Sequence, residues 1–178
     1  MDDHYNYNYD DLPEEKTEVI YGVENFINYT LDLWSKIRIN ADVCADCNGP
    51  SLFVTPNNLL NFGYRALRDR GIKLRYITEI TKDNIHYCKE LMKICDLRHL
   101  DEIKGNFGVG DGLYYRATAK SSGPASTPPI LISCTVRAFV EQQQFFFEML
   151  WKKAIPAKKR IMEIEENREI QENKEVRR

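Results

Sequence analysis

Apolar residues recur along this chain at helical spacing in long stretches, with short runs of strand character between them. Val19, Val23, Phe26, Ile27, Thr30, Leu31 and Trp34 repeat every three or four positions, which predicts an amphipathic helix capped by Thr17 and running to about Ile37. Ala41–Ala45 reads as a short buried strand ending at Asp46, and Asn48-Gly49-Pro50 as a turn. Thr55-Pro56 supplies a cap and a first-turn proline for a helix carrying Leu59, Leu60, Phe62, Ala66 and Leu67, which stops at Gly71. Ile72–Thr78 is the clearest strand, with alternating character and β-branched residues. Thr81 or Asp83 caps the next helix, whose stripe is Ile85, Cys88, Leu91, Met92 and Cys95. Alternation of this kind predicts an α/β layered fold with parallel strands.

The second half changes character. Leu97–Leu100 reads as a short strand, and Gly105–Val109 and Leu113–Thr118 as neighbours joined by a hairpin at Asp111-Gly112. Residues 120–129 (KSSGPASTPP) have loop composition, and Ile130–Cys134 is an apolar strand. Thr135 caps a helix bearing Phe139, Val140, Gln143, Phe146, Phe147, Leu150 and Trp151. Within Phe145-Phe146-Phe147 neighbours stand about 100° apart, so at least one ring must leave the core. Pro156 opens a last helix whose thin apolar line is Ile161, Ile164, Ile170 and Val176.

Composition narrows the class. The 178 residues include 25 Lys and Arg against 27 Asp and Glu, a net charge of −2, so the chain lacks the basic balance of a nucleic-acid binder and no direct nucleic-acid binding is expected. No run approaches the ~20 apolar residues of a membrane helix, and the start is acidic and polar rather than a signal peptide. Residues 1–16, with six acidic residues and one lysine, read as a disordered tail. The expectation is a cytoplasmic protein with no membrane association. The five cysteines, an odd number, argue for reduced thiols rather than a disulfide framework. Cys44-x-x-Cys47 has the spacing of a zinc or redox pair, and Cys88 and Cys95 on one helical face would complete a four-cysteine site.

Four segments carry a resemblance: TEVIYGVENFIN (17–28), ADVCAD (41–46), GIKLRYITEITKDNIHYCKELMKICDLRHLDEIKGNF (71–107) and FVEQQQFFFEMLWKKAIPAKKRIMEIEE (139–166). Together they resemble a sensory domain of archaeal signalling proteins, typical of ammonia-oxidising archaea, that precedes histidine-kinase or related modules. That domain looks like a degenerate half of the phospholipase D fold. The resemblance implies a layered α/β/α sandwich with a mixed sheet. It implies three parts: the tail at 1–16, a sensory domain at 17–155, and a charged signalling helix at 156–178. The chain stops at Arg178, so the output would lie in a partner protein or in a homodimer joined through the C-terminal helices.

The family's His-x-Lys-x-x-x-x-Asp motif tests this on chemistry. Lys104-x-Asn106-x-x-x-x-Asp111 keeps the spacing but replaces the nucleophilic histidine and the phosphate-holding lysine. An ammonium with a pKa near ~10 is no nucleophile at neutral pH. The resemblance thus implies a fold without catalytic residues, cofactor or resident metal. Ligands of open α/β sheets bind beyond the carboxyl ends of strands. Asp46, Thr78, Glu79, Arg98 and His99 stand at such ends, and alignment with the phospholipase D fold adds Lys104, Asn106 and Ser133. This set would suit a small polar or anionic ligand. Two alternatives stay open: residual phosphodiesterase or hydrolase activity using His99, and a redox or zinc sensor at Cys44 and Cys47.

Overall fold

A computed structural model describes residues 12–119 and 130–176. The loop expected at 120–129 and most of the acidic tail lie outside the described residues. The elements run β1 (Thr17–Ile20), α1 (Val23–Lys36), β2 (Asn40–Ala45), α2 (Gly49–Val54), α3 (Leu59–Asp69), β3 (Lys73–Thr78), α4 (Ile85–Leu91), β4 (Asp96–His99), β5 (Asn106–Gly110), β6 (Tyr114–Ala119), β7 (Ile130–Cys134), α5 (Arg137–Lys153), β8 (Ile155–Pro156) and α6 (Ala157–Val176). They build one eight-stranded sheet in the order β1-β7-β6-β5-β2-β3-β4-β8. β2, β3 and β4 are parallel and every other pairing is antiparallel, so the sheet is mixed.

Two layers cover the sheet, which explains why all six residues of β2 are buried. On one face, Trp34, Phe53, Tyr64, Leu67, Leu91, Ile161 and Ile164 join Val43, Leu74 and Tyr76 in the larger core, so α1, α2, α3, α4 and the start of α6 all lie there. On the other face α5 is the one helix among the described residues, with Phe147, Trp151 and Ala154 over Cys44 and Ile77. The layered α/β/α expectation is met. Of the three consecutive phenylalanines, Phe147 is fully buried while Phe145 and Phe146 are 61% and 46% exposed, as the helical geometry requires.

A charged cluster anchors α5. Asp42 is fully buried and accepts both Arg75 Nε and Nη2 at 2.7 Å, plus Gln144 Nε2 at 2.8 Å. Arg75 also pairs with Glu148 and lies 5.0 Å from the centre of the Phe147 ring. The sheet and its lone covering helix are thus joined by a bidentate ion pair in a desolvated seam.

Several expected boundaries are corrected. Thr17 does not cap a helix: residues 17–20 form β1, paired with β7, and the helix begins only after Gly22, whose φ of 90° breaks the pattern. Edge pairing with a distant strand outweighs local periodicity here. Thr135 does not cap α5 either, because its hydroxyl is spent on the Glu14 and Lys16 carbonyls. Val136 takes the cap position, and Glu15 accepts the Arg137 amide at 3.0 Å. Asn48-Gly49-Pro50 is not a plain turn but the start of α2, with Asn48 at the cap position. Thr55 closes that helix and Asn58 caps α3 through the Leu60 amide, at 2.9 Å. Asn84, not Thr81 or Asp83, holds the cap position of α4, which ends before Cys95. Pro156 belongs to β8, and α6 starts one residue later. The Asp111-Gly112 hairpin forms as expected, with φ of 53° and 67° at the two residues.

Candidate functional site

β2, β3 and β5 bring one group of the expected residues together. The Asn106 Oδ1 accepts the Asp46 amide at 3.0 Å and its Nδ2 donates to the Asp46 carboxylate at 3.3 Å. Thr78, directly opposite Ala45 in the parallel pair, donates its hydroxyl to the Asp46 carbonyl at 2.9 Å. Asn84 Nδ2 ties the Cys47 and Glu79 carbonyls together, at 2.8 Å each. Asp46, Thr78, Glu79 and Asn106 therefore do form one strand-end cluster. Their polar atoms are largely spent on one another and on backbone.

Of the other four, His99 sits directly opposite Thr78 in the parallel β3–β4 pair, beside the cluster, and Arg98, Lys104 and Ser133 stand elsewhere. Arg98 and His99 are consecutive in β4 and so face opposite sides of the sheet. Arg98 lies 4.2 Å from the centre of the Trp151 ring and donates to the Trp151 carbonyl, under α5. Lys104 is exposed in the loop before β5. Ser133 is held by Tyr29, whose hydroxyl reaches it at 2.8 Å, in the row of Arg116 rather than at the strand ends.

His99 is 3% exposed, and its Nδ1 accepts the Ile80 amide at 2.9 Å. The neutral ring therefore carries its proton on Nε2, which faces Asp101 at 3.2 Å. Both nitrogens are committed, so the ring has no free base to offer. Burial lowers its pKa below the ordinary 6.5 and outweighs the pull of Asp101. The unfolded chain then binds the proton first as pH falls, so stability is full above about pH 6.5 and declines below it. A thermal-denaturation series from pH 7.5 to 5 is expected to show this decline, and His99→Gln to flatten it. Equal slopes in the two proteins would refute the assignment.

The cysteines do not assemble. Cys44 packs under α5, whereas Cys88 and Cys95 belong to the core on the opposite face. Among the described residues no group of three metal-ligating side chains forms. Burial pushes the Cys44 and Cys88 thiols up to about 12, which opposes thiolate chemistry at both.

One feature escaped the sequence reading. A cavity of ≈ 90 Å³ lies between the sheet and α1 and α2, bounded by Thr30, Trp34, Phe53, Asn106, Arg116 and Thr118 among others. Arg116 is its one charged lining residue. Its guanidinium lies 4.9 Å from the centre of the Trp34 ring. Among the described residues no carboxylate pairs with it and no hydrogen bond satisfies it. The sequence signal is slight: an arginine in a strand reading Tyr-Tyr-Arg-Ala-Thr-Ala, where alternation does not say which face is covered.

No protein-family model matches the sequence, and no curated protein matches it either. Solved structures do match. Nuc from Salmonella typhimurium, a phospholipase D family member, superposes with a TM-score of 0.62 at 12% identity, over 80% of this chain and 98% of Nuc. NucT from Helicobacter pylori gives 0.61 at 11% identity, over 80% of this chain and 99% of NucT. The fold is phospholipase D-like. TrmBL2, an archaeal chromatin protein with a novel mode of DNA binding, gives 0.55 at 16% identity, and this chain spans only 54% of its length. At such identities the likeness is one of fold, and the chemistry must be argued from the residues.

On that fold the motif positions acquire geometry. Asn106 and Asp111 lie at opposite ends of β5, with Asn106 bound to Asp46. The Asp111 carboxylate accepts the backbone amides of Arg38, Ile39 and Asn40 at 2.7, 2.8 and 2.9 Å. The aspartate therefore clips the α1–β2 connection to the β5–β6 turn.

Proposed function

We propose that this chain is a non-catalytic, phospholipase D-like binding domain of an archaeal, histidine-kinase-associated signalling system. The signalling role follows from the sequence resemblance. The observation that carries the non-catalytic reading is the Asn106–Asp46 pair. Where the family motif holds phosphate with a lysine, this chain has an amide already bound at both ends. Where the motif has its nucleophile, the chain has the exposed Lys104. The nearby His99 has both ring nitrogens engaged and cannot take over.

Bis(p-nitrophenyl) phosphate incubated with purified protein is expected to release nitrophenol no faster than a heat-inactivated control. Turnover that disappears in His99→Ala would overturn this reading in favour of a residual phosphodiesterase. Output would pass through α6, which starts in the main core at Ala157, Ile161 and Ile164 and is joined to α5 by Ala154 and the two residues of β8.

A further inference from the structure

We propose that the cavity beneath α1 is a binding site for a small monocarboxylate with a compact apolar body, with Arg116 as its counter-ion. This names the ligand class for the binding domain argued above and rests on that reading.

Arg116 is partly buried, and a guanidinium withdrawn from much of its water without an anion beside it is costly. Desolvation brings the Arg116 pKa down to about 10, yet the group remains a cation at neutral pH. Among the described residues, the surroundings supply no compensating charge. Trp34 gives a cation–π contact only, and the Tyr64 and Tyr76 phenols near it are neutral. Further polar groups are left over in the same region. Thr30 lines the cavity and its buried hydroxyl has no hydrogen-bond partner, and the Tyr76 hydroxyl is buried without one as well. An oxyanion would satisfy the fork of Arg116.

Charge and size set the class. One cation without a second matches a single negative charge, hence a carboxylate rather than a phosphate monoester. Phe26, Leu52, Phe53, Leu60 and Leu131 make the rest of the wall apolar. Leu52 is 48% exposed, so the cavity meets the surface there and a ligand has an entry. A dry cavity of ~150 Å³ accepts benzene. A space of ≈ 90 Å³ therefore encloses about four heavy atoms, and a six-atom ligand such as butyrate extends toward the opening at Leu52.

The test titrates the full chain with butyrate, its neutral twin butyramide and inorganic phosphate, by calorimetry and by thermal shift. Butyrate is expected to bind and to raise the melting temperature, with butyramide weaker by about 30-fold or more. Arg116→Met is expected to lose butyrate binding by a similar factor. Without ligand it should melt at or above the wild-type temperature, since it removes a partly buried charge that no carboxylate among the described residues answers. If Arg116→Met does not fold, Arg116→Lys keeps the charge and is expected to retain weakened binding. No heat from butyrate, equal binding of butyramide, or unchanged binding in Arg116→Met would each overturn the proposal. Phosphate binding in place of butyrate would overturn it too. Phosphodiester turnover in the same preparation sinks the non-catalytic reading instead, so the two failures are distinguishable.

Discussion

Asp111→Ala is expected to destabilise the protein by about 4 kcal/mol, from the loss of three charge-assisted hydrogen bonds that leaves buried amides without acceptors. The bonds come from Arg38, Ile39 and Asn40, and Asp111 itself is 2% exposed. For a domain of this size that is a fall of roughly 10 °C in melting temperature. Asp111→Asn should cost about half as much. It tolerates the φ of 53° and keeps the Oδ1 acceptor for Ile39 and Asn40, but gives up the charge and the bond from Arg38. Urea unfolding of the three proteins checks both figures, and a loss below ~1 kcal/mol for the alanine variant would refute the clip. The result bears on function: the one motif position this chain retains is accounted for by folding alone.

The second large effect is expected at Asp42. Asp42→Ala leaves Arg75 inside the α5 seam with only Glu148 beside it, at a cost of about 3 kcal/mol. Adding Arg75→Met should recover most of that, because a buried ion pair can be replaced by apolar packing at little net cost. Methionine fits the neighbourhood, since Arg75 already packs on Phe147 and Trp151. Chemical denaturation followed by tryptophan fluorescence, from Trp34 and Trp151 together, measures the stability of each variant. A double variant as unstable as the single one would show that the arginine does more than answer Asp42.

Periodicity and turn chemistry made much of this fold legible. β3 shows the alternation and β-branched residues of a strand, although both of its faces are covered, and Asp111-Gly112 marks the β5–β6 hairpin because only left-handed residues close it. Local rules failed where distant strands decide. Thr17 reads as a helix cap until β7 is there to pair with it. The candidate site failed in a more instructive way. Placing Arg98 and His99 in one pocket ignored the two-residue period of a strand, which sends neighbours to opposite faces. Asp46, Thr78 and Asn106 did meet, since strand order and register alone bring them together. Arg116 was illegible for the opposite reason: its face of β6 matters only because α1 covers it, and no spacing in the sequence records that.

The two ends of the sheet differ in one respect that bears on self-association. β8 is a two-residue strand and its Pro156 has no amide hydrogen, so it offers a neighbouring chain almost nothing to pair with. β1, four residues long with Val19 49% exposed, is the more receptive edge. Indefinite stacking of sheets needs two receptive edges on each copy, one to give and one to take. Any edge-to-edge joining through β1 would therefore meet its own twin and stop at two copies, which protects the molecule from fibre growth.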